Sequence, residues 1–472
     1  MPQDIQTDVA IIGAGTAGLF AMKQVRMAGK SVTMIDPGPL GTTCARVGCM
    51  PSKVALHAAH LWHQRQEMAE YGTQGIEQLS LDRDKAWARV SAMRDRFAGK
   101  TEENARKAMG ETLLEGPARF VEPTVLEVEL PGGERQVVRA QAVVIANGSR
   151  PVVPEWLEPM SDRVVTTDTL FDVKHIPDSV GVLGLGAIGL EMGLALSRLG
   201  VRVVGSDIAR LPAGISDPEL GQRVIEQFSA EFPLWLGESA ELTKEEDGIL
   251  MKTSQGQEKV DMILASLGRR PNTDTLNLAE AGFELDDKGQ LRFDPATQQV
   301  QDFPVFVAGD VNGHRPLQHE AGDEGTIAGF NAARGITRFR RRTPLSIAFT
   351  HPDIAVIGER LEDMDPDEIV TGSADGSGNG RSVILGAQSN LIHLHADAKT
   401  GRLRGASLMA THGEHLAHLL AWAIQRGETA QDLLAMPFYH PVVEEILPDA
   451  LQDIVSRLPE THDLPKGFRR EE

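Results

Sequence analysis

Val9-Ala10-Ile11-Ile12-Gly13-Ala14-Gly15-Thr16-Ala17-Gly18 decides the fold. An apolar run that stops at a glycine reads as a buried parallel strand. Gly13, Gly15 and Gly18 then give a tight turn, a backbone bare enough to approach a pyrophosphate, and close packing of helix on strand. A helix is expected over Ala17 to Ala28 and, after Gly29, a strand over Ser31 to Ile35, with Asp36 at its end to accept from a ribose hydroxyl. The same grammar returns after Ser179: strand Val180 to Leu183, Gly184-Leu185-Gly186-Ala187-Ile188-Gly189, a helix over Ala187 to Leu199, Gly200, strand Val201 to Val204 and Asp207. Asp36 lies 23 positions after Gly13 and Asp207 lies 23 positions after Gly184, as two copies of one dinucleotide-binding device require. A carboxylate at Asp207 would repel a 2′-phosphate, which favours NAD over NADP; an aspartate that only caps its loop is the alternative there, and a merely structural glycine turn is the alternative for the first motif.

Outward from these two units the chain falls into several parts. With 472 residues it has room for about three domains. Val54 to Met109 is polar and expected to be helical. Ala118 to Leu130 and Gln136 to Ile145 read as strands joined by the Pro131-Gly132-Gly133 turn. Past Pro271 the chain returns to a strand, Val305-Phe306-Val307, and a Gly309-Asp310 turn; a last αβ segment begins near Thr343. Gly372 to Gly380, rich in Gly, Ser and Asp, is expected to be a flexible loop. The expected boundaries are 1–150 for a first nucleotide domain completed by 271–342, 151–270 for a second, 271–342 for a central domain and 343–472 for an interface domain.

A net charge of −20 argues against nucleic acid, since a polyanion gains nothing from binding here by counterion release. A pyrophosphate is a different matter, because helix N-termini and backbone N–H groups hold it locally. No apolar run approaches the roughly 20 residues that span a bilayer, and no basic stretch with an apolar core opens the chain, so a cytoplasmic protein is expected. Two cysteines, with four residues between them, are too few and too local for a secreted disulfide scaffold.

Those cysteines lie in Gly41-Thr42-Thr43-Cys44-Ala45-Arg46-Val47-Gly48-Cys49-Met50-Pro51-Ser52-Lys53. Four intervening residues can bring two sulfurs into bonding distance, and a following helix N-terminus would favour a thiolate; two ordinary reduced thiols are the bland alternative. The stretch closely resembles the active-site segment of the class I pyridine nucleotide:disulfide oxidoreductases, the family of the lipoamide dehydrogenases and glutathione reductases. Similar segments follow in order: Ile145-Ala146-Asn147-Gly148, Leu264 to Asn272 including Gly268, Val305 to Asp310, His319-Glu320, Thr350 to Asp353, and His440-Pro441-Val442-Val443-Glu444-Glu445.

The resemblance implies an α/β chain with two Rossmann-like dinucleotide-binding domains, for FAD and NAD, a central segment and a C-terminal α+β dimerisation domain. It implies Cys44 as the thiol that exchanges with substrate, Cys49 as the thiol against the flavin, and a Lys53–Glu191 pair beside it. It assigns Gly13, Gly15, Gly18, Asp36, Gly148, Asp310 and His319 to FAD and Gly184, Gly186, Gly189, Asp207 and Gly268 to NAD. His440, oriented by Glu445, would be the base, reaching the active site of the other subunit of a homodimer; an imidazole suits thiol deprotonation because its pKa lies near 7. The other histidines, His57, His60 and His63 among them, read as ordinary packing or surface residues, and no metal site is implied.

The implied reaction is oxidation of dihydrolipoamide by NAD through a Cys44–Cys49 disulfide. A lipoyl group carried on a partner domain would be one form of that substrate. The lack of cysteines near Glu472 argues against relatives that relay electrons through a C-terminal thiol pair. The alternatives are a reductase of another small disulfide and, in a different class, a non-catalytic docking subunit. Some positions depart from the family: Thr42 for Gly, Arg46 for Asn, Asn147 for Thr, Phe438-Tyr439 before His440. They bear on substrate fit, and Arg46 would suit an anionic disulfide unless its stem is merely packed on apolar surface.

Overall fold

The structure, a computed structural model, describes residues 4–459 together with 465, 467 and 468. Its first sheet runs, from edge to edge, Leu113–Glu115, Val32–Asp36, Ile5–Ile12, Arg135–Ile145, Val125–Glu129, Ala118–Glu122, with Val305–Val307 pairing alongside Arg135–Ile145. The long strand Arg135–Ile145 changes character along its length. Residues 135–139 pair antiparallel with Val125–Glu129 and alternate in burial, whereas its last four residues are all buried. Alternation marks a sheet with one wet face; continuous burial marks parallel strands covered on both faces.

The second sheet is wholly parallel, in the order Leu234–Leu236, Arg202–Asp207, Ser179–Leu183, Met262–Ala265, Val164–Thr166, with a separate three-stranded antiparallel sheet over Glu241–Val260. Two short strands, Ser149–Pro151 and Arg269–Pro271, pair antiparallel where the chain passes between the two nucleotide units. The C-terminal sheet is antiparallel, Leu345–Ala348, Asp353–Gly358, Leu403–Ala410, Leu391–Asp397, Ile369–Asp375, and helices Gly413–Arg426 and Leu447–Ser456 lie against it.

Helix Gln318–Arg334 returns from far along the chain to pack on helix Thr16–Met27. Glycine permits the approach. A Cβ at Gly325 would stand 2.1 Å from the Ala17 carbonyl oxygen and one at Gly329 would stand 2.4 Å from that of Ala21.

One expectation is corrected. Residues 372–380 are not a flexible loop: Ile369–Asp375 is a seven-residue strand, followed by a short 3-10 turn and helix Gly380–Ile384. Two of the glycines there answer to space, since a Cβ at Gly372 would lie 2.0 Å from the Ala450 oxygen and one at Gly376 2.3 Å from that of Ala387. The region 54–109 is helical only in pieces, Cys49–His63, Arg65–Glu70 and Arg83–Met109. Among the described residues no helix is long and apolar enough to cross a membrane.

Candidate active site

The two glycine turns repeat one another in detail. Gly13 (φ +105°) and Gly184 (φ +86°) take the left-handed backbone, and a Cβ on either would strike the neighbouring strand end, 2.2 Å from the Ala146 oxygen and 2.4 Å from that of Ser266. A Cβ on Gly18 or Gly189 would stand 1.9 and 1.8 Å from the oxygen of the first glycine of its own turn. Gly15 and Gly186 differ: each is the N-cap of its helix without a side-chain cap, and a Cβ there meets nothing within 4 Å. Open backbone N–H groups at a helix N-terminus, with bare space before them, fit a dinucleotide pyrophosphate.

Asp36 and Asp207 are equally alike. Asp36 accepts from Ala14 N at 2.6 Å and Gly38 N at 2.7 Å; Asp207 accepts from Leu185 N at 2.6 Å and Ala209 N at 2.8 Å. Each carboxylate thus staples its glycine turn to its own loop, and with about four lone-pair sites it retains two for a sugar hydroxyl. Gly148 (φ +69°) and Gly268 (φ +88°) flank the crossing strands in the same symmetrical way, Asn272 N donating to the Gly148 oxygen and Val152 N to that of Gly268, both at 3.0 Å. Asp310 accepts from Ser149 Oγ at 2.8 Å, and His319 is exposed in the first turn of helix Gln318–Arg334.

Cys44 lies in a one-turn helix, Thr43–Arg46, capped by the Thr42 hydroxyl; Cys49 opens the helix Cys49–His63. Gly48 lets the two close on each other, since a Cβ there would sit 3.2 Å from the Thr43 oxygen and 3.3 Å from the Cys44 Cα. The cysteines are free thiols, and each shifts the acidity of the other. Their acidities diverge. Cys44, with help from the Lys53 charge and against the cost of burial, lowers Cys49 to about 7, while Cys49, together with burial, pushes Cys44 far up. Arg46 donates to the Pro39 oxygen at 3.2 Å and its stem lies against Gly41, so the guanidinium helps close that turn.

Lys53, one turn on from Cys49, pairs with Glu191 at 2.8 and 2.9 Å. Glu191 is buried in helix Ala187–Arg198 and also accepts from Phe349 N at 2.8 Å; the Lys53 ammonium stands 4.6 Å from the centre of the Phe349 ring. All three parts of the chain therefore meet at one ion pair. Far along the sequence, His440 Nδ1 lies 2.9 Å from Glu445 Oε1, and Val442 N donates to Oε2 at 3.0 Å. Those two contacts hold the Glu445 carboxyl below its ordinary value. A carboxylate only accepts, so Nδ1 carries the proton and Nε2 the lone pair, on a side chain that is 79% exposed.

Other histidines pack inside. The rings of His60 and His351 lie 3.9 Å apart, and burial lowers both, His351 to about 4. Among the described residues no three His, Cys, Asp or Glu side chains form a group able to hold a metal ion. Sequence reasoning passed over Ser149, which bonds Asp310, Arg269, which bonds Ser149, and Asn312, Glu324 and Arg341, which are linked to the loop that carries Asp310. The one signal for Glu324 was a carboxylate on the small-residue face of its helix, between Ala321, Gly325 and Ala328.

The sequence model of the pyridine nucleotide-disulphide oxidoreductases matches residues 7–325, and that of the family's dimerisation domain matches residues 345–451. The chain is 28% identical to the dihydrolipoyl dehydrogenase of Haloferax volcanii, covering 96% of this chain and 97% of that one, and 29% identical to that of Halobacterium salinarum, covering 94% and 96%. Among solved structures it superposes on LpdA of Mycobacterium tuberculosis (TM-score 0.82, 22% identity, 94% and 99% covered). It also superposes on the HOCl-induced flavoprotein disulfide reductase RclA of Escherichia coli in its Cu(II) complex (TM-score 0.80, 21% identity, 95% and 99% covered).

Proposed function

Because the chain belongs to the pyridine nucleotide-disulphide oxidoreductase family, we propose that it oxidises dihydrolipoamide, with Cys44 and Cys49 as the disulfide that takes the electrons. It is a flavoprotein disulfide oxidoreductase whose cofactors are FAD and NAD. Gly13, Gly15, Gly18 and Asp36, with Gly148, Asp310 and His319, would hold the FAD; Gly184, Gly186, Gly189, Asp207 and Gly268 would hold the NAD. When bound, FAD supplies two-electron chemistry between a dithiol and NAD.

The observation that carries the reading is the placement of the two thiols: Cys44 and Cys49 lie on abutting helices drawn together at Gly48, with Cys49 at a helix start one turn from the Lys53–Glu191 pair. In exchange with a disulfide, the sulfur of lower pKa leaves faster. A substrate thiolate would therefore attack Cys44, break the Cys44–Cys49 bond and leave Cys49 as a thiolate facing Lys53. The second substrate thiol then attacks the mixed disulfide, the cyclic substrate disulfide leaves and Cys44 takes a proton. His440 Nε2 accepts the proton of the first entering thiol and releases it to solvent, then accepts that of the second and returns it to Cys44, and Glu445 steadies the imidazolium each time. The exposure of His440 suits service to the other subunit of a homodimer, built through residues 345–451. The parts 1–150 with 271–342, 151–270 and 343–472 would then be the flavin, nicotinamide and interface units.

Steady-state reduction of NAD by dihydrolipoamide, run beside NADP and beside reduced glutathione, tests the proposal. Turnover with dihydrolipoamide and NAD is expected. Flavin reduction by another dithiol alone would replace the substrate, and no flavin reduction by any dithiol would point to a docking subunit.

A further inference from the structure

Glu324 plays no part in the chemistry above, yet it grips the loop that carries Asp310. It is fully buried in helix Gln318–Arg334. Its Oε2 accepts from Gly309 N at 2.8 Å and Asn312 Nδ2 at 2.7 Å, and its Oε1 accepts from Arg341 at 2.9 Å. All three partners are donors. Asn312 cannot turn its amide over without losing the bond from His314 N to its Oδ1, at 2.8 Å, so its NH2 stays toward Glu324. Burial pushes the Glu324 carboxyl up, and the three donors with the Arg341 charge work against that push. Arg341 comes from the strap that leads into the C-terminal sheet and also holds Glu320, buried beside His319.

We infer that Glu324, balanced by Arg341, is a positioning residue for the flavin: it fixes Gly309 and Asn312 on either side of Asp310, so that the Asp310 carboxylate is held toward the cofactor. The inference rests on the reading of Asp310 as an FAD contact. The loop has little freedom of its own. Gly309 has φ +79°, and a Cβ there would be 3.1 Å from the Ala17 Cβ, on the helix that opens with the first glycine turn. From the other side Arg269 Nε donates to Ser149 Oγ at 2.9 Å. A guanidinium can only donate, so the Ser149 hydroxyl proton is directed to Asp310 Oδ2, which leaves Oδ1 for the ligand.

A double-mutant cycle on full-length protein tests this, with FAD affinity read by fluorescence as deflavinated protein is titrated, and with the melting temperature of the deflavinated form as control. In Glu324→Gln the volume is kept, but either orientation of the amide sets its NH2 against a donor. FAD affinity should fall on the order of 10- to 100-fold, the cost of unpaired buried polar groups. In an Asp310→Ala background the same change should add less than about 3-fold, because Glu324 acts through Asp310. Losses that multiply, or a Glu324→Gln protein that binds FAD as the parent does, overturn the inference. An Asp310→Ala protein with unchanged affinity would instead sink the reading of Asp310. Should Glu324→Gln fail to fold, Asn312→Ala removes one donor and leaves the charge pair. Run through the same cycle, it is expected to lower affinity by about 3- to 10-fold and to be as dependent on Asp310.

Discussion

Cys49 opens a helix one turn from the Lys53 charge, whereas Cys44 lies in the short helix before it, and the two thiols shift each other's acidity in opposite directions. Alkylation of reduced, deflavinated protein by iodoacetamide should therefore hit Cys49 first, with a rate that rises through pH 7, near the value to which its neighbours lower it. The sign follows from linkage: a thiol depressed in the folded state adds stability above its unfolded pKa, and that share is lost as the pH falls through about 7. Cys44→Ala removes the largest cause and should move the rate profile to higher pH; Cys44→Ser keeps a donor and should move it less. A profile indifferent to both changes would show that the helix start and Lys53 suffice. His440→Ala should lower kcat by about 10²- to 10⁴-fold, the usual worth of a general base, with FAD absorbance unchanged. These residues were legible because chemistry demands their types at fixed spacing. Arg46 was not: its length allowed either contact with an anionic substrate or a stem packed on apolar surface, and its bond to the Pro39 carbonyl is a third arrangement that depends on the local turn.

Elements were legible where periodicity and punctuation agree. The strand–glycine–helix units fall within a residue or two of where the sequence puts them, since buried parallel strands and three spaced glycines leave little choice, except that the first strand starts four residues earlier, at Ile5, and the strand after Gly200 runs three residues further, to Asp207. Composition misled at Gly372, where glycine serves contact with helix Leu447–Ser456 rather than freedom, a fact held in a partner some 80 residues away. The same cause hid the pairing of helix Thr16–Met27 with Gln318–Arg334. Gly325→Ala tests that pairing, because its new methyl has backbone, not a flexible side chain, 2.1 Å away. Overpacking of this kind costs about 1–3 kcal/mol or more, so a clearly lower melting temperature and faster loss of FAD are expected; an unchanged pair of values would mean that the helices separate freely.

At the scale of the whole molecule the question is which subunit His440 serves. Mixing Cys44→Ser and His440→Ala subunits, each inactive alone, answers it. If the base serves the other subunit, each mixed dimer regains one complete site and random pairing restores about a quarter of the parental rate. If it serves its own chain, no activity returns. The crossing of Thr16–Met27 by Gln318–Arg334 bears on a different moment in the protein's life. The first glycine turn emerges early from the ribosome, but the helix that backs it and the Asp310 loop come about 300 residues later. Prosthetic-group capture must therefore await nearly complete translation, and a nascent chain halted before Gly309 should remain colourless.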